Sequence, residues 1–128
     1  MANILLIEPD RLLAETYAQA LTDAGHHVVA ASTAQAGIQA ADALEPALVI
    51  LELQLVEHSG IEFLYEFRSY RDWQSVPVLV HTGVPPAEFN HNLGLLKEEL
   101  GVHTYLYKLH TSLRELLAHV HQAVPTTA

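Results

Sequence analysis

The residues of this 128-residue chain that could do chemistry fall just behind short apolar runs. Glu8, Pro9 and Asp10 follow Ile4–Ile7, and Glu52 lies near the end of the run Ala47–Leu53. His81, Thr82 and Gly83 follow Val76–Val80, and Lys108 follows Thr104–Tyr107. They offer carboxylates, a hydroxyl and an ammonium, groups that form ion pairs and hydrogen bonds. Polar residues are common where strands pass into loops, so it is the shared placement that singles these out. Other chemistries lack their residues. Without cysteine there is no disulfide framework, thiolate zinc site or catalytic thiol. GxGxxG and GxxxxGKS/T phosphate loops and the GxSxG elbow are absent, so no independent enzymatic activity is expected. Nine histidines are the compositional oddity, each able to gain a proton between about pH 5 and 8. His58 and His110 could approach the acidic groups, which makes a metal- or pH-sensing His/carboxylate site conceivable. No HxxH or HExxH spacing supports it, and His119 and His121 point to different faces of a helix. Scattered surface histidines are the better reading, with His26 and His27 solvent-facing or at the start of a strand.

The elements that must position these groups follow from periodicity. Five apolar runs, Ile4–Ile7, His27–Ala31, Ala47–Leu53, Val76–Val80 and Thr104–Tyr107, are mostly continuous rather than alternating. Continuous runs mark strands buried on both faces, hence a parallel sheet. Between them Arg11–Ala24 shows helical spacing, with Gly25 as its stop. Thr33–Leu44 is alanine-rich and ends before Pro46. Ile61–Tyr70 follows Gly60, and Leu113–Val124 opens on the capping-box pattern Ser112-Leu113-Arg114-Glu115. Gly83-Val84-Pro85-Pro86 forbids an early helix, so a helix is expected only over Ala87–Leu100, with Gly94 its weak point. Trp73 is expected to plug the end of the third helix. Five strand–helix repeats predict a single α/β domain over 1–124, with helices on both faces, and a short tail at 125–128. The functional crevice of such a sheet lies beyond the carboxyl ends of its strands, where the singled-out residues sit.

Composition narrows the partners. Fifteen acidic against six basic residues, a formal net charge of −9, argue against direct binding to nucleic acid or anionic lipid. No run is long enough to span a bilayer and no basic segment precedes the first run, so a cytoplasmic location is expected. The chain closes on Pro125-Thr126-Thr127-Ala128, with no DNA-binding domain expected behind it.

Together these residues resemble the receiver domain of two-component response regulators over nearly the whole chain. The resemblance rests on Ile4-Leu5-Leu6-Ile7-Glu8-Pro9-Asp10, on Leu48-Val49-Ile50-Leu51-Glu52 with Gly60 behind it, on Val80-His81-Thr82-Gly83, and on Tyr105 three residues before Lys108. It implies a three-layer, doubly wound flavodoxin-like (βα)5 fold with strand order 2-1-3-4-5. It also implies that Glu52 stands at the phospho-acceptor position, that Glu8 and Asp10 form the acidic pocket, that Thr82 and Lys108 are its partners and that Tyr105 is the switch aromatic. The family's partners include a histidine kinase. Its fourth helix, fifth strand and fifth helix form the face that meets proteins or a second copy.

Three departures carry the functional expectation. The family's phospho-accepting aspartate is Glu52 here, its second acidic residue and direct magnesium ligand is Pro9, and the proline after its lysine is Leu109. Proline supplies neither a carboxylate nor an N–H. The extra methylene of Glu52 moves its carboxylate by about 1.5 Å, and a misplacement of about 1 Å can cost roughly 100-fold in rate. Phosphotransfer is therefore expected to be absent or vestigial. Magnesium would be needed only by a competent site built from Glu8, Asp10 and Glu52. Glu52 is expected to reach Lys108 or Thr82 instead, either imitating a phosphorylated site in part or merely neutralising the lysine. The Lys108–Leu109 bond is expected to be trans, because a non-proline cis bond costs about 2.5–4 kcal/mol. The chain therefore reads as an atypical receiver acting by protein–protein interaction. The rivals are a competent receiver and a histidine-based sensor.

Overall fold

The computed structural model describes residues 2–88 and 93–124; the tail expected at 125–128 lies outside them. Five parallel strands, β1 (Asn3–Ile7), β2 (His27–Ala31), β3 (Leu48–Leu51), β4 (Val78–Thr82) and β5 (Val102–Tyr107), form one sheet in the order β2-β1-β3-β4-β5. The helices are α1 (Arg11–Asp23), α2 (Ala34–Leu44), α3 (Gly60–Ser69), α4 (Leu93–Glu98) and α5 (Leu113–Ala123). The expected flavodoxin-like order and helix alternation are thus present.

Each central strand is a continuous apolar run split between two cores by its period of two. Ile4, Leu6, Leu48, Ile50 and Leu79 face the layer containing Leu21 of α1 and Leu116 and Val120 of α5. Leu5, Ile7, Val49, Leu51 and Val80 face the layer containing Phe63 and Phe67 of α3 and Leu96 of α4. Trp73 closes the end of α3, its ring stacked 4.9 Å from that of Phe67.

The helix starts are set by side chains that take free backbone donors. Asp10 caps α1 through Leu13 N at 3.0 Å, and Thr33 caps α2 through Ala36 N at 3.1 Å. Ser112 and Glu115 form the expected capping box. Ser59 and Glu62 form a second one at α3, legible in the sequence by the same spacing. Gly25, at φ 98°, takes the left-handed turn that releases the chain from α1.

The fourth helix differs most from expectation. A 3-10 turn covers Pro86–Glu88 and α4 only Leu93–Glu98, so the expected helix over Ala87–Leu100 is not continuous among the described residues. Pro85 and Pro86 remove two amide donors where the 3-10 turn forms, whereas Gly94 is accommodated inside α4. β4 starts two residues later than its apolar run because Pro77 cannot donate to the ladder. β5 starts two residues earlier, at Val102, with a register shift opposite Val78/Leu79. His26 is a correction: it is 8% exposed, with Nδ1 accepting the Ala2 N–H at 3.2 Å, rather than solvent-facing.

Gly60 couples the fold to the strand end that carries Glu52. A Cβ there would lie 2.7 Å from Leu53 Cα and 2.8 Å from the Glu52 carbonyl oxygen. Both are backbone atoms, so α3 or the strand end must move. Gly60→Ala is expected to destabilise the chain by about 1–3 kcal/mol, read by urea denaturation; an unchanged midpoint would refute this close approach.

Candidate functional site

Sheet register assembles the site. Ile7 pairs with Leu51, Leu51 with Val80, and Thr82 with Tyr107. Each next residue or two then leaves the same carboxyl edge, so Glu8, Glu52, Thr82 and Lys108 emerge side by side. The Glu52 amide donates to the Ile7 carbonyl at 3.0 Å, which fixes the strand end.

Lys108 Nζ donates to Glu8 Oε1 and to Glu52 Oε1, both at 2.6 Å. Glu8 and Glu52 are each 4% exposed. The expected Glu52–Lys108 contact is therefore present, and Glu8 shares it. Glu52 takes three further donors: the Thr82 hydroxyl and the Gln54 amide (3.0 Å) on Oε2, and the Gly83 amide (3.3 Å) on Oε1. Burial alone would raise the Glu52 pKa. The Lys108, Thr82 and Gln54 hydrogen bonds outweigh it, and the carboxylate is held below its ordinary value. Burial would likewise lower the Lys108 ammonium, but bonds to two carboxylates raise it above the ordinary lysine value.

The same bonds extend toward β5. Thr82 Oγ1 accepts the Val84 N–H at 3.2 Å, and the Tyr105 hydroxyl donates to the Val84 carbonyl at 2.6 Å. Glu52, Thr82, Val84 and Tyr105 thus form one connected path. Tyr105 is partly buried, and burial, with the charges of Glu52 and Glu88, pushes its hydroxyl up to about 12.

Asp10 is not brought into the pocket. It is exposed, and its carboxylate caps α1; only its amide turns inward, donating to Glu8 Oε2 at 3.1 Å. The physical reason is that Arg11 begins the helix, where an aspartate at the preceding position satisfies an otherwise free amide. His58 instead pairs with Glu62 at 3.0 Å, and the His110 ring lies against Tyr107. Among the described residues no group of three His, Asp or Glu side chains is placed to hold a metal ion. No described peptide bond is cis, so Lys108–Leu109 is trans, as expected for leucine.

Sequence reasoning placed His81 at this strand end but did not say which way it turns. His81 is 3% exposed and turned from Thr82 toward α1, its ring edge-on to Tyr17 at 5.0 Å. The signal was available: positions 79 and 81 of one strand share a face, and Leu79 faces the α1/α5 layer.

A doubly wound sheet in the order β2-β1-β3-β4-β5, with two carboxylates, a hydroxyl and a lysine at its carboxyl edge, is the arrangement that the resemblance to receiver domains implies. The chain belongs to the response regulator receiver domain family, which it matches over residues 4–121. It is 38% identical over 80 residues to the KDP operon transcriptional regulatory protein KdpE of Escherichia coli (strain K12), covering 62% of this chain and 34% of that protein. It is 32% identical over 78 residues to response regulator RR06 of Streptococcus pneumoniae serotype 2, covering 61% of this chain and 35% of that protein. The matches thus span about a third of either relative's length. Among solved structures, chemotaxis protein CheY4 of Vibrio cholerae superposes with a TM-score of 0.84 at 20% identity, covering 96% and 98% of the two chains. The BeF3-activated receiver domain of Klebsiella pneumoniae RstA superposes with a TM-score of 0.82 at 24% identity, covering 97% and 99%. Among the described residues no helix is long and apolar enough to cross a membrane.

Proposed function

We propose that this receiver works without accepting a phosphoryl group and signals by protein–protein contact. The observation that carries the proposal is that the Glu52 carboxylate already takes the donors converging on the site: the Lys108 ammonium, the Thr82 hydroxyl and two backbone amides. A phosphoryl group arriving there would have to displace a bonded carboxylate from its counterion. The residues do not fit magnesium either. Pro9 offers no ligand, Asp10 is committed to the α1 cap, and Glu8 and Glu52 both face the same ammonium. A divalent ion needs those carboxylate oxygens itself. On this reading the domain is not an enzyme and uses no cofactor.

Glu52 acts here as a partial, permanent substitute for the phosphorylated residue. It holds Thr82, and through Val84 it holds Tyr105 against the loop after β4. One carboxylate carries a charge of −1 against about −1.5 to −2 for a phosphoryl group. The face built from α4, β5 and α5 then meets a protein partner or a second copy in one fixed form, in the cytoplasm. A histidine kinase can dock without transferring phosphate.

Incubation with acetyl phosphate and Mg2+, followed by intact-mass measurement, tests the proposal. The native chain is expected to gain no phosphoryl increment, and the double variant Glu52→Asp with Pro9→Asp is expected to gain one. A stoichiometric increment on the native chain would favour the competent-receiver reading and reject this one.

A further inference from the structure

We propose that His26 is an acid-released latch that holds the amino-terminal end of β1 to β2, at the pole of the sheet opposite Glu52. Two consecutive residues grip Ala2. The His26 ring accepts the Ala2 N–H on Nδ1 at 3.2 Å, and the His27 N–H donates to the Ala2 carbonyl at 2.9 Å. Ala2 is 7% exposed, so its buried amide needs that acceptor. His26 is anchored in turn to the end of α1, its own N–H donating to the Leu21 carbonyl at 3.1 Å.

The Ala2 bond fixes the protonation state of the ring. An Nδ1 that accepts carries no proton, so the neutral imidazole carries its proton on Nε2. Nε2 is sealed from solvent and has no partner among the described residues. The fold thus tolerates an orphaned donor at His26, and what the ring supplies is the Nδ1 acceptor. Adding a proton turns Nδ1 from an acceptor into a donor. The Ala2 N–H then faces another N–H, and the ring carries a charge with neither of its own N–H groups bonded. The latch opens: Ala2 and the ring take their partners from water, while β1 keeps its pairs with β2 from Asn3 onward.

The charges around the ring sharpen this response. From α5 comes His121, exposed in the last turn, its ring centroid 5.6 Å from that of His26. From the start of β1 comes the chain's amino group. Asp23, in the last turn of α1, accepts from Gln19 Nε2 at 2.8 Å, and His27 is exposed at the start of β2. Burial first, and then the positive charges of His121 and the amino group, hold the His26 imidazole below its ordinary 6.5. The latch is therefore closed above that value and released as pH falls through the lower folded one. It lies at the amino ends of the strands and does not depend on the reading of the Glu52 pocket at their carboxyl ends.

NMR of the 13C,15N-labelled chain from about pH 8 to about pH 4.5 tests the latch. At the upper end, long-range 1H–15N correlations are expected to show the His26 proton on Nε2 alone. On acidification the ring is expected to titrate below 6.5, and the Ala2 amide and methyl resonances should move at the same midpoint. His121→Gln removes a neighbouring charge. It should raise both midpoints together by about half a pH unit, the effect of a unit charge 5.6 Å away in a water-like medium. His27→Gln, one residue along, should leave both unchanged. A proton on Nδ1 at neutral pH, Ala2 resonances that do not follow the His26 midpoint, midpoints that ignore His121→Gln, or an equal rise with His27→Gln would each overturn the proposal.

Discussion

Replacing Lys108 by methionine is expected to destabilise the chain by about 3–5 kcal/mol at pH 7, the range for removing one partner of a buried ion pair. The lysine side chain is 16% exposed and is bonded to two carboxylates that are more deeply buried than it is. Without it, Glu8 and Glu52 face each other on adjacent strands with no counterion between them. Glu52→Gln should cost much less, because Lys108 keeps Glu8 and the site becomes a one-to-one pair. The double variant Lys108→Met with Glu52→Gln should recover part of the loss, since it removes one of the two opposed charges. With a denaturant slope near 2 kcal/mol per molar, the lysine variant's urea midpoint falls by about 1.5–2.5 M. The pH dependence has a definite sign. The depressed Glu52 pKa contributes stability that is present above the ordinary carboxylate value and lost as pH falls through the lower folded value. In the methionine variant one carboxylate must take up a proton to relieve the repulsion, so its deficit against the native chain narrows on acidification. A loss under 1 kcal/mol, or a deficit that does not change with pH, would show that Lys108 is not the counterion on which this site depends.

The parts of this site that were legible in the sequence are those set by strand geometry. Continuous apolar runs announce a parallel sheet, and a parallel sheet puts all its carboxyl ends on one edge. Glu8, Glu52, Thr82 and Lys108 therefore converge once each is seen to follow a run. What was not legible was the use made of each side chain after the strand ends. Asp10 lies only two residues beyond Glu8, yet it turns outward because α1 begins at the next residue and its first turn needs an acceptor. The 3-10 turn at Pro86–Glu88 depended on how far two prolines could be tolerated, which propensity alone weighs poorly.

His81 is expected to make the chain lose about 3 kcal/mol of stability between pH 6.5 and pH 4. Burial, and then the charge of Lys108, lower its imidazole to about 4 from an ordinary 6.5, although Glu52 pulls the other way. The folded chain therefore binds fewer protons at His81 than the unfolded chain between those values. Stability is fully present above 6.5 and drains away as pH falls toward 4, at 1.36 kcal/mol for each unit of difference. His81→Leu removes the titration. Between pH 7 and pH 5 the variant should lose about 2 kcal/mol less than the native chain, read from urea midpoints at the two values. It should not be weaker at pH 7 by more than the edge-to-face contact with Tyr17, because His81 Nδ1 has no partner to lose. Identical pH slopes in the two proteins, or an imidazole titrating above pH 6 by NMR, would refute it. The direction of the shift also identifies what governs this side of the site. Of the charges at the site, Lys108 opposes the imidazolium more than Glu52 favours it, so they do not offset the cost of burial. The neutral form wins because the apolar layer beneath Tyr17 cannot solvate a cation. His81 thus belongs energetically to the α1/α5 core, although the sequence places it next to Thr82.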